Sequence, residues 1–439
     1  MQVSCDRPLV CSVIPGWVPY SSIGEQGQRQ GDAMNDHETG LQPALSRWVL
    51  ATYGLGTIVG AGIYVVIGKV AGEAGALTPL SFLAAAIAAA MTGLSYAELS
   101  ARVPESGGSA AFIARGFDRR WLTGIAGWAL IATGLVSAAT ITTGFVGYLG
   151  VFLPVPRTVA IVLAAALLTA VAAIGVRQAA WFMMLTTALQ IAGLLLVIVY
   201  LGPQLIHFPP AFSAALSSGP GWPLAAGVLS GAVLSFYAFV GFEDLATLSE
   251  EARDTRRSIP FAIIASLTGA SILYLLVAAV AVSAMPAERL AQSGAPLSDV
   301  LARHGGPADI IAMIGLLTIL NGALAQIVMA ARVIHDLGSR RGSAPLWLAR
   351  VHPRTATPVA ATMLGGTVVA LLAAAFPTEQ LAAGTSLLML LIFTAACGAL
   401  LAMKARGDPV PPGVRTYPAV IPALGCLICA ALFLARLFA

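Results

Sequence analysis

The stretch "GLGTIVGAGIYV", residues 54–65, lies inside a segment that is otherwise apolar from Trp48 to Ile67. A helix needs about 20 apolar residues to cross the hydrocarbon core of a bilayer. Glycines in the middle of such a helix have two explanations. Gly56 and Gly60 form a GxxxG pair, which lets two membrane helices pack closely. Alternatively, the glycines on either side of Ala61 lower the cost of unwinding a turn, and this frees backbone groups to bind a ligand.

The composition indicates a membrane protein with many spans. Hydrophobic residues make up 58% of the chain and charged residues 10%, and the mean hydropathy is +0.86, which excludes an ordinary soluble domain. No alternating pattern of the kind that builds membrane β-barrels is present, so the sequence predicts an all-α polytopic membrane protein. The predicted spans are Trp48–Ile67, Leu77–Leu99, Leu122–Tyr148, Thr158–Gly175, Trp181–Leu201, Pro223–Leu248, Ile259–Ala284, Ala308–Ile334, Pro358–Phe376, Leu381–Met403 and Tyr417–Leu437.

The distribution of basic residues predicts the orientation. Short loops rich in Lys and Arg stay in the cytoplasm. With a cytoplasmic N-terminus, most of the 24 basic residues fall on the cytoplasmic side. The exceptions are Lys69, Arg157, Arg289, Arg303 and Arg436. Because this topology accounts for the net charge of +4, no nucleic-acid partner is expected.

Residues 1–44 have no apolar period, and their composition predicts a disordered cytoplasmic tail without a signal peptide. The alternative is that translation starts at Met34, which would remove most of this tail. Cys5 and Cys11 lie in the tail, and "CLIC" at 426–429 has metal-like spacing without His or acidic company, so no disulfide framework and no metal site are expected.

A second interrupted helix is predicted in the other half of the chain. Residues 234–251, "LSFYAFVGFEDLATLSEE", contain Gly241 followed by Glu243 and Asp244. Carboxylates at membrane depth are costly and usually functional, although Asp244 also fits a helix end on the cytoplasmic side. Spans 1 and 6 each begin a set of five, and an odd-numbered repeat inserts upside down relative to its partner. Inverted repeats with broken first helices are typical of secondary transporters.

The chain resembles the amino acid, polyamine and organocation transporter family. The resemblance rests on the two interrupted segments and on further segments in the same order, which are "LSYAELSARVPESGGSAAF" at 94–112, "FYAFVGFEDLATLSEEARDTRRSIPFAI" at 236–263, "APLSDV" at 295–300 and "VHPRTATP" at 351–358. It implies a LeuT-like fold of five plus five inverted helices in a transport core at 45–404, with repeats at 45–205 and 220–404. Residues 405–439 form one extra helix, so about 11 helices are expected where relatives have twelve. A truncated reading frame is the alternative.

The resemblance also implies a substrate site between the two breaks. Helix 1 would stop near Ile58 and restart near Gly62, so that the N–H groups of Ala61 and Gly62 bind the substrate carboxylate. The carbonyl groups of Ile58, Tyr237 and Val240 would accept hydrogen bonds from the substrate ammonium. The implied substrate-binding set is Ile58, Gly60, Ala61, Gly62, Tyr237, Ala238, Phe239, Val240 and Gly241.

Further residues are implied in gating or coupling. Tyr237 and Phe239 would place aromatic rings beside the pocket, and a ring at Tyr237 or Phe242 would close over the substrate. The alternative is that rings of this span pack it against neighbouring helices. Glu243 follows the second break and is expected to gate or to handle a proton. Some relatives carry Lys in span 5 where this chain has Gln190, which makes a lysine-based proton switch doubtful. Gln190 and Asn321 lie near the expected cation region, but hydrogen bonds between helices explain them equally well.

The sequence thus predicts a permease that moves an amino acid, expected to be neutral, across the cytoplasmic membrane of a bacterial-type cell. H⁺ or Na⁺ is the expected coupling ion, and no cofactor or metal is expected. An exchanger and a non-transporting sensor that kept the binding site remain as alternatives. An enzyme is not expected, because no metal cluster, nucleophile set or phosphate loop stands out.

Overall fold

A computed structural model describes residues 45–438 except 106–107, 175–179, 218–221, 250, 340–343, 353–354 and 356. The predicted tail at 1–44, with Met34, Cys5 and Cys11, lies outside the described residues. Within the described part the secondary structure is helical, apart from one isolated bridge between Leu45 and Ala252. The helices in chain order are α1 (Arg47–Val59), α2 (Ala61–Ala74), α3 (Thr78–Arg102), α4 (Gly108–Phe117), α5 (Arg120–Leu149), α6 (Arg157–Ile174), α7 (Ala180–Leu201), α8 (Phe208–Ser217), α9 (Trp222–Phe239), α10 (Asp244–Thr247), α11 (Thr255–Ala284), α12 (Ala287–Gln292), α13 (Pro296–Arg303), α14 (Ala308–Ser339), α15 (Leu346–Ala349), α16 (Val359–Ala375), α17 (Thr378–Ala405) and α18 (Val420–Phe438).

The helices confirm a multi-pass membrane protein. By length and composition, nine stretches of the described residues are long and apolar enough to cross a membrane. The first, Arg47–Arg102, runs 56 residues and contains α1, α2 and α3, while α16 is a shorter apolar helix. The all-helical prediction is confirmed, and the count of eleven spans stays a prediction.

The first span is interrupted where the glycines predicted a break. Helix α1 ends at Val59 and α2 begins at Ala61. Gly60, with φ −39° and ψ −143°, lies between them. The interruption is shorter than expected, since Ala61 is already helical. The first N–H groups of α2, at Ala61 and Gly62, are therefore at a helix N-terminus, where they lack partners within their helix.

The sixth predicted span is interrupted over a longer stretch. Helix α9 ends at Phe239 and the short helix α10 begins at Asp244. Gly241 lies in the turn between them with φ +131°, a backbone conformation that favours glycine. A Cβ atom at Gly241 would also stand 2.9 Å from the carbonyl oxygen of Thr57 in α1. Both the local conformation and the close approach of α1 therefore require a glycine here.

The packing explanation holds for Gly56 of the predicted GxxxG pair, and Gly54 packs in the same way, whereas Gly60 lies at the break. A Cβ atom at Gly54 would stand 2.5 Å from Leu245 in α10, and one at Gly56 would overlap the hydroxyl of Thr187 in α7. These two glycines let α1 lie against its neighbours. The glycines of the opening stretch thus divide into packing positions before the break and positions at the break itself.

A buried ionic cluster ties α3 to α17 and to the segment before α18. The Glu98 carboxylate is fully buried and pairs with Arg102 at 2.7 Å and with Lys404 at 2.6 Å. It also accepts a hydrogen bond from the backbone N–H of Tyr417 at 2.9 Å, and Lys404 donates to the Tyr417 carbonyl. Charges at this depth are stable only when they are paired in this way.

Candidate functional site

The two interrupted helices meet at their breaks. A Cβ atom at Gly62 would stand 2.7 Å from the Cα of Ala238, so the start of α2 lies directly against the backbone of α9. The Thr57 hydroxyl, near the end of α1, donates to the Gly54 carbonyl at 2.9 Å and lies 3.1 Å from the Gly241 carbonyl. The two breaks are thus joined by backbone contact on one side and by a hydroxyl on the other.

A cavity of about 100 Å³ lies between these breaks and the helices α5, α7 and α14. Of the predicted substrate-binding residues, the ones that line it are Ile58, Gly60, Ala61, Gly62, Tyr237, Val240 and Gly241. Gln190 and Asn321, predicted near a cation region, also line it. Its remaining lining residues are Tyr53, Gly56, Thr57, Ser137, Ile141, Thr186, Thr187, Asp244, Thr318, Gly322, Ala325 and Gln326.

Four predicted site residues are not among those that line the cavity. Ala238 packs against Gly62 and is not among the residues that line the cavity. Phe239 is fully buried beside Tyr274, with ring centroids 5.1 Å apart. Phe242 is fully buried against Tyr96 and Phe393, at centroid distances of 5.5 and 5.0 Å. The packing alternative therefore describes these two rings in this conformation.

Glu243 is the fourth, and its carboxylate turns back into the break. One carboxylate oxygen accepts the backbone N–H of Gly241 at 2.8 Å. The negative charge thus satisfies a donor that the interrupted helix leaves without a helical partner. The expected gating role of Glu243 stays a prediction.

The carbonyl groups expected to bind the substrate ammonium differ in their partners. The Ile58 carbonyl oxygen lies 2.6 Å from the hydroxyl of Tyr274 on α11. The Tyr237 carbonyl accepts the N–H of Val240 at 3.3 Å. For Val240, which lines the cavity, no donor to the carbonyl is found among the described residues. Of the three carbonyl groups, the one at Val240 is therefore available to accept a hydrogen bond from the substrate in this conformation.

Tyr274 is a residue that the sequence did not reveal. Its hydroxyl lies 2.6 Å from the Ile58 carbonyl in α1 and 2.9 Å from the Ala238 carbonyl in α9, and the side chain is fully buried. One hydroxyl carries one proton, so these two acceptors share it. The ring thereby fastens both broken helices to α11. No local signal in "SILYLLV" distinguishes it from a packing aromatic.

Two further tyrosines join α2 to α7 and to α5. The Tyr64 hydroxyl donates to the Gln190 carbonyl at 2.9 Å, and the Tyr148 hydroxyl donates to the Tyr64 carbonyl at 3.1 Å. Both side chains are fully buried. The side of α1 is lined instead by partly exposed residues, among them Tyr53, Gly56 and Thr57. The residues on the α2 side are therefore more deeply buried than those that line the cavity along α1.

Comparison with known proteins gives one family. A family described as amino acid permease matches residues 45–439. The branched-chain amino acid permease BcaP of Bacillus subtilis is 30% identical over 437 residues, which cover 92% of this chain and 90% of that protein. The cationic amino acid transporter 4 of Mus musculus is 32% identical over 391 residues, which cover 84% of this chain and 60% of that protein.

A plant protein is also similar to this chain. The mitochondrial cationic amino acid transporter 3 of Arabidopsis thaliana is 29% identical over 406 residues, which cover 87% of this chain and 65% of that protein. The chain thus spans less than two thirds of the mouse and plant transporters. The similarity nevertheless extends over most of this chain, including α1, α2, α9 and α10.

Proposed function

The chain belongs to the amino acid permease family, whose members are transporters and not enzymes, and from this premise we propose that it moves an amino acid by alternating access through the cavity between its two helix breaks. The observation that carries this proposal is the contact of the two breaks around one cavity. A zwitterion needs donors and acceptors at membrane depth, and broken helices supply both without charged side chains.

The proposed binding mode uses groups that line the cavity. The substrate carboxylate binds at the N-terminus of α2, where the N–H groups of Ala61 and Gly62 and the positive end of the helix dipole favour an anion. The substrate ammonium binds the Val240 carbonyl. Tyr237, whose hydroxyl lies 3.4 Å from that of Ser137, stands beside the substrate.

The substrate that we propose is a neutral amino acid. The Bacillus subtilis relative, which the chain matches over most of both lengths, is named for branched-chain amino acids, and this supports the proposal. Relatives named for cationic amino acids make a basic substrate the competing candidate. The small cavity volume favours a compact side chain.

The proposed topology has eleven spans in a LeuT-like arrangement, with the N-terminus in the cytoplasm of a bacterial-type cell. The excess of Arg and Lys in the segments assigned to the inside supports this orientation. Helix α1 would start at the cytoplasmic side, and the partial exposure of its lining residues Tyr53, Gly56 and Thr57 supports a conformation that faces inward. Tyr64 and Tyr148, which lie on the α2 side of the break, would then close the pathway to the outside.

Counterflow tests the proposed function. Purified protein is reconstituted into liposomes that are loaded with one unlabelled amino acid, and uptake of the labelled form is followed for alanine, serine, leucine, isoleucine, valine, arginine and lysine. We expect transient accumulation of at least one neutral amino acid above that in protein-free liposomes. Binding without flux would identify a sensor, and flux restricted to arginine and lysine would overturn the neutral assignment.

A further inference from the structure

Asp244 is the one charged side chain among the described residues that line the cavity. It is the first residue of α10, and its side chain is half-buried at the second break. No Arg, Lys or His lines the cavity in the described part of the chain. Among the described residues, no basic group lies within 4.0 Å of its carboxylate. The cavity thus holds an acidic group whose charge has no ion-pair partner.

The neighbouring charged groups do not neutralise Asp244. The adjacent carboxyl group of Glu243 turns to the Gly241 N–H and brings no positive charge. On α1, Arg47 lies over the rings of Trp48 and Phe261. On α11, Arg256 donates to the Pro412 carbonyl and Arg257 pairs with Asp254.

The remaining titratable groups at this end of the cavity lie around Tyr53. Tyr53 of α1 lines the cavity and is within electrostatic reach of Asp244, Glu251 and Arg332. Arg332 of α14 forms no ion pair with Asp244 among the described residues. Helix α4, which packs against α10, carries Arg115, which is exposed to solvent and does not line the cavity.

Gln190 gives an independent indication of a positively charged ligand. Its side chain is 3% exposed and lines the same cavity. Its side-chain oxygen Oε1 is buried and has no hydrogen-bond partner. Leaving a buried acceptor unsatisfied destabilises the folded protein, and a bound ion is one way in which such a group is satisfied. The cavity therefore offers two acceptors, Gln190 Oε1 and the Asp244 carboxylate, that both await a donor or a cation.

The Asp244 carboxylate in the cavity lining indicates the net charge of the substrate and any ion carried with it. A neutral amino acid is a zwitterion, so it brings no net charge and leaves the Asp244 carboxylate uncompensated at membrane depth, where ionised groups are costly. We propose that Asp244 holds the single positive charge that travels with a neutral amino acid, either a proton on its carboxylate or a sodium ion beside it. This inference rests on the proposed function. The loaded cavity is neutral, and the empty carrier returns with the Asp244 charge.

The consequence is that each turnover moves one positive charge inward. A membrane potential of about 100 mV, negative inside, then supports a substrate gradient of about fiftyfold. A carrier that lacks the Asp244 charge still exchanges amino acid across the membrane, because exchange requires only that the substrate-bound carrier reorient in both directions. It cannot couple that movement to an ion.

The experiment uses the full chain in liposomes with a potassium diffusion potential, and then with a pH gradient or a sodium gradient imposed singly. We expect the wild type to accumulate labelled substrate under the potential and under one of the two ion gradients, which identifies the ion. Asp244→Asn should lose this accumulation and retain counterflow. Asp244→Glu should restore driven accumulation. The matched control Asp254→Asn, at an exposed carboxylate beyond the cavity, should behave as the wild type.

The outcomes separate the two claims. Accumulation by Asp244→Asn equal to that of the wild type would overturn the inference, and so would a wild type indifferent to the potential. Loss of counterflow in Asp244→Asn would also contradict it, because the group would then serve substrate binding or folding. Selective loss of arginine and lysine uptake would assign the positive charge to the substrate itself. Absence of counterflow in the wild type would instead refute the proposed function.

Discussion

Gly62 of α2 lies so close to Ala238 of α9 that a Cβ atom at Gly62 would stand 2.7 Å from the Ala238 Cα. The atom met is backbone, which cannot rotate away as the end of a side chain can. The two interrupted helices can therefore approach this closely only when position 62 has no side chain. This contact fixes the geometry in which backbone groups of both helices face one cavity.

A methyl group at Gly62 should separate the two breaks. Gly62→Ala is expected to lower the free energy of unfolding by about 1–3 kcal/mol, as overpacking does elsewhere, and to abolish counterflow. Gly322→Ala is the matched variant, because its Cβ would stand 3.5 Å from Ile141 and 3.6 Å from Ala61, which is ordinary contact. Thermal unfolding in detergent should show a lower midpoint for Gly62→Ala alone. Equal midpoints in the two variants would contradict the close approach.

Removal of the Tyr274 hydroxyl should loosen both breaks at once. Tyr274→Phe leaves the buried carbonyl groups of Ile58 and Ala238 without this donor, and the expected loss of stability is about 1–3 kcal/mol. Tyr200→Phe is the control, since that exposed hydroxyl bonds only to the His304 carbonyl at 3.3 Å. Hydrogen exchange read out by mass spectrometry should rise around residues 57–62 and 237–243 in Tyr274→Phe. Unchanged exchange in those segments would remove Tyr274 from the description of the site.

The Glu98 cluster should behave as a buried network. Glu98→Gln leaves Lys404 and Arg102 without their shared counter-charge, and breaking a buried pair from one side costs about 3–5 kcal/mol. Combining it with Lys404→Met should recover part of that loss, because one uncompensated charge is removed with its partner. A double-mutant cycle on unfolding midpoints measures the coupling. Strictly additive effects would show that the two charges do not interact.

Part of this site could be predicted from sequence because its signals are local. Glycines on either side of Ala61 indicated a break, and Gly241 followed by acidic residues indicated the second break. The length of the first break could not be predicted, because the number of unwound residues depends on contacts such as the Thr57 hydroxyl with the Gly241 carbonyl. Those contacts join residues 184 positions apart.

Other features gave no local signal. Tyr274 lies in an ordinary apolar helix, and its bond to Ile58 spans 216 positions. Asp244 fell within the uncertainty of a helix boundary, so only the structure shows that it lines the cavity. The connecting helices α4, α8, α12, α13 and α15 were not predicted, since they are short and several carry polar residues. The sequence around Glu98 does not identify its partners, because Lys404 and Tyr417 come from α17 and the segment before α18.

If the cavity between the two breaks is the transport site, larger side chains at position 322 should block transport. Gly322 lines the cavity, and a Cβ atom there would contact only side-chain atoms, at 3.5 Å from Ile141 and 3.6 Å from Ala61. Gly384 is the matched control, because its Cβ would stand at a similar distance, 3.6 Å, from Val136 but outside the cavity lining.

The measurement is counterflow of the best substrate by Gly322→Ala, Gly322→Val and Gly322→Leu beside Gly384→Leu, each checked for a monodisperse, folded protein. We expect uptake to fall stepwise as the side chain at position 322 becomes larger, to background for Gly322→Leu, while Gly384→Leu stays near the wild type. Wild-type counterflow in a folded Gly322→Leu would contradict it.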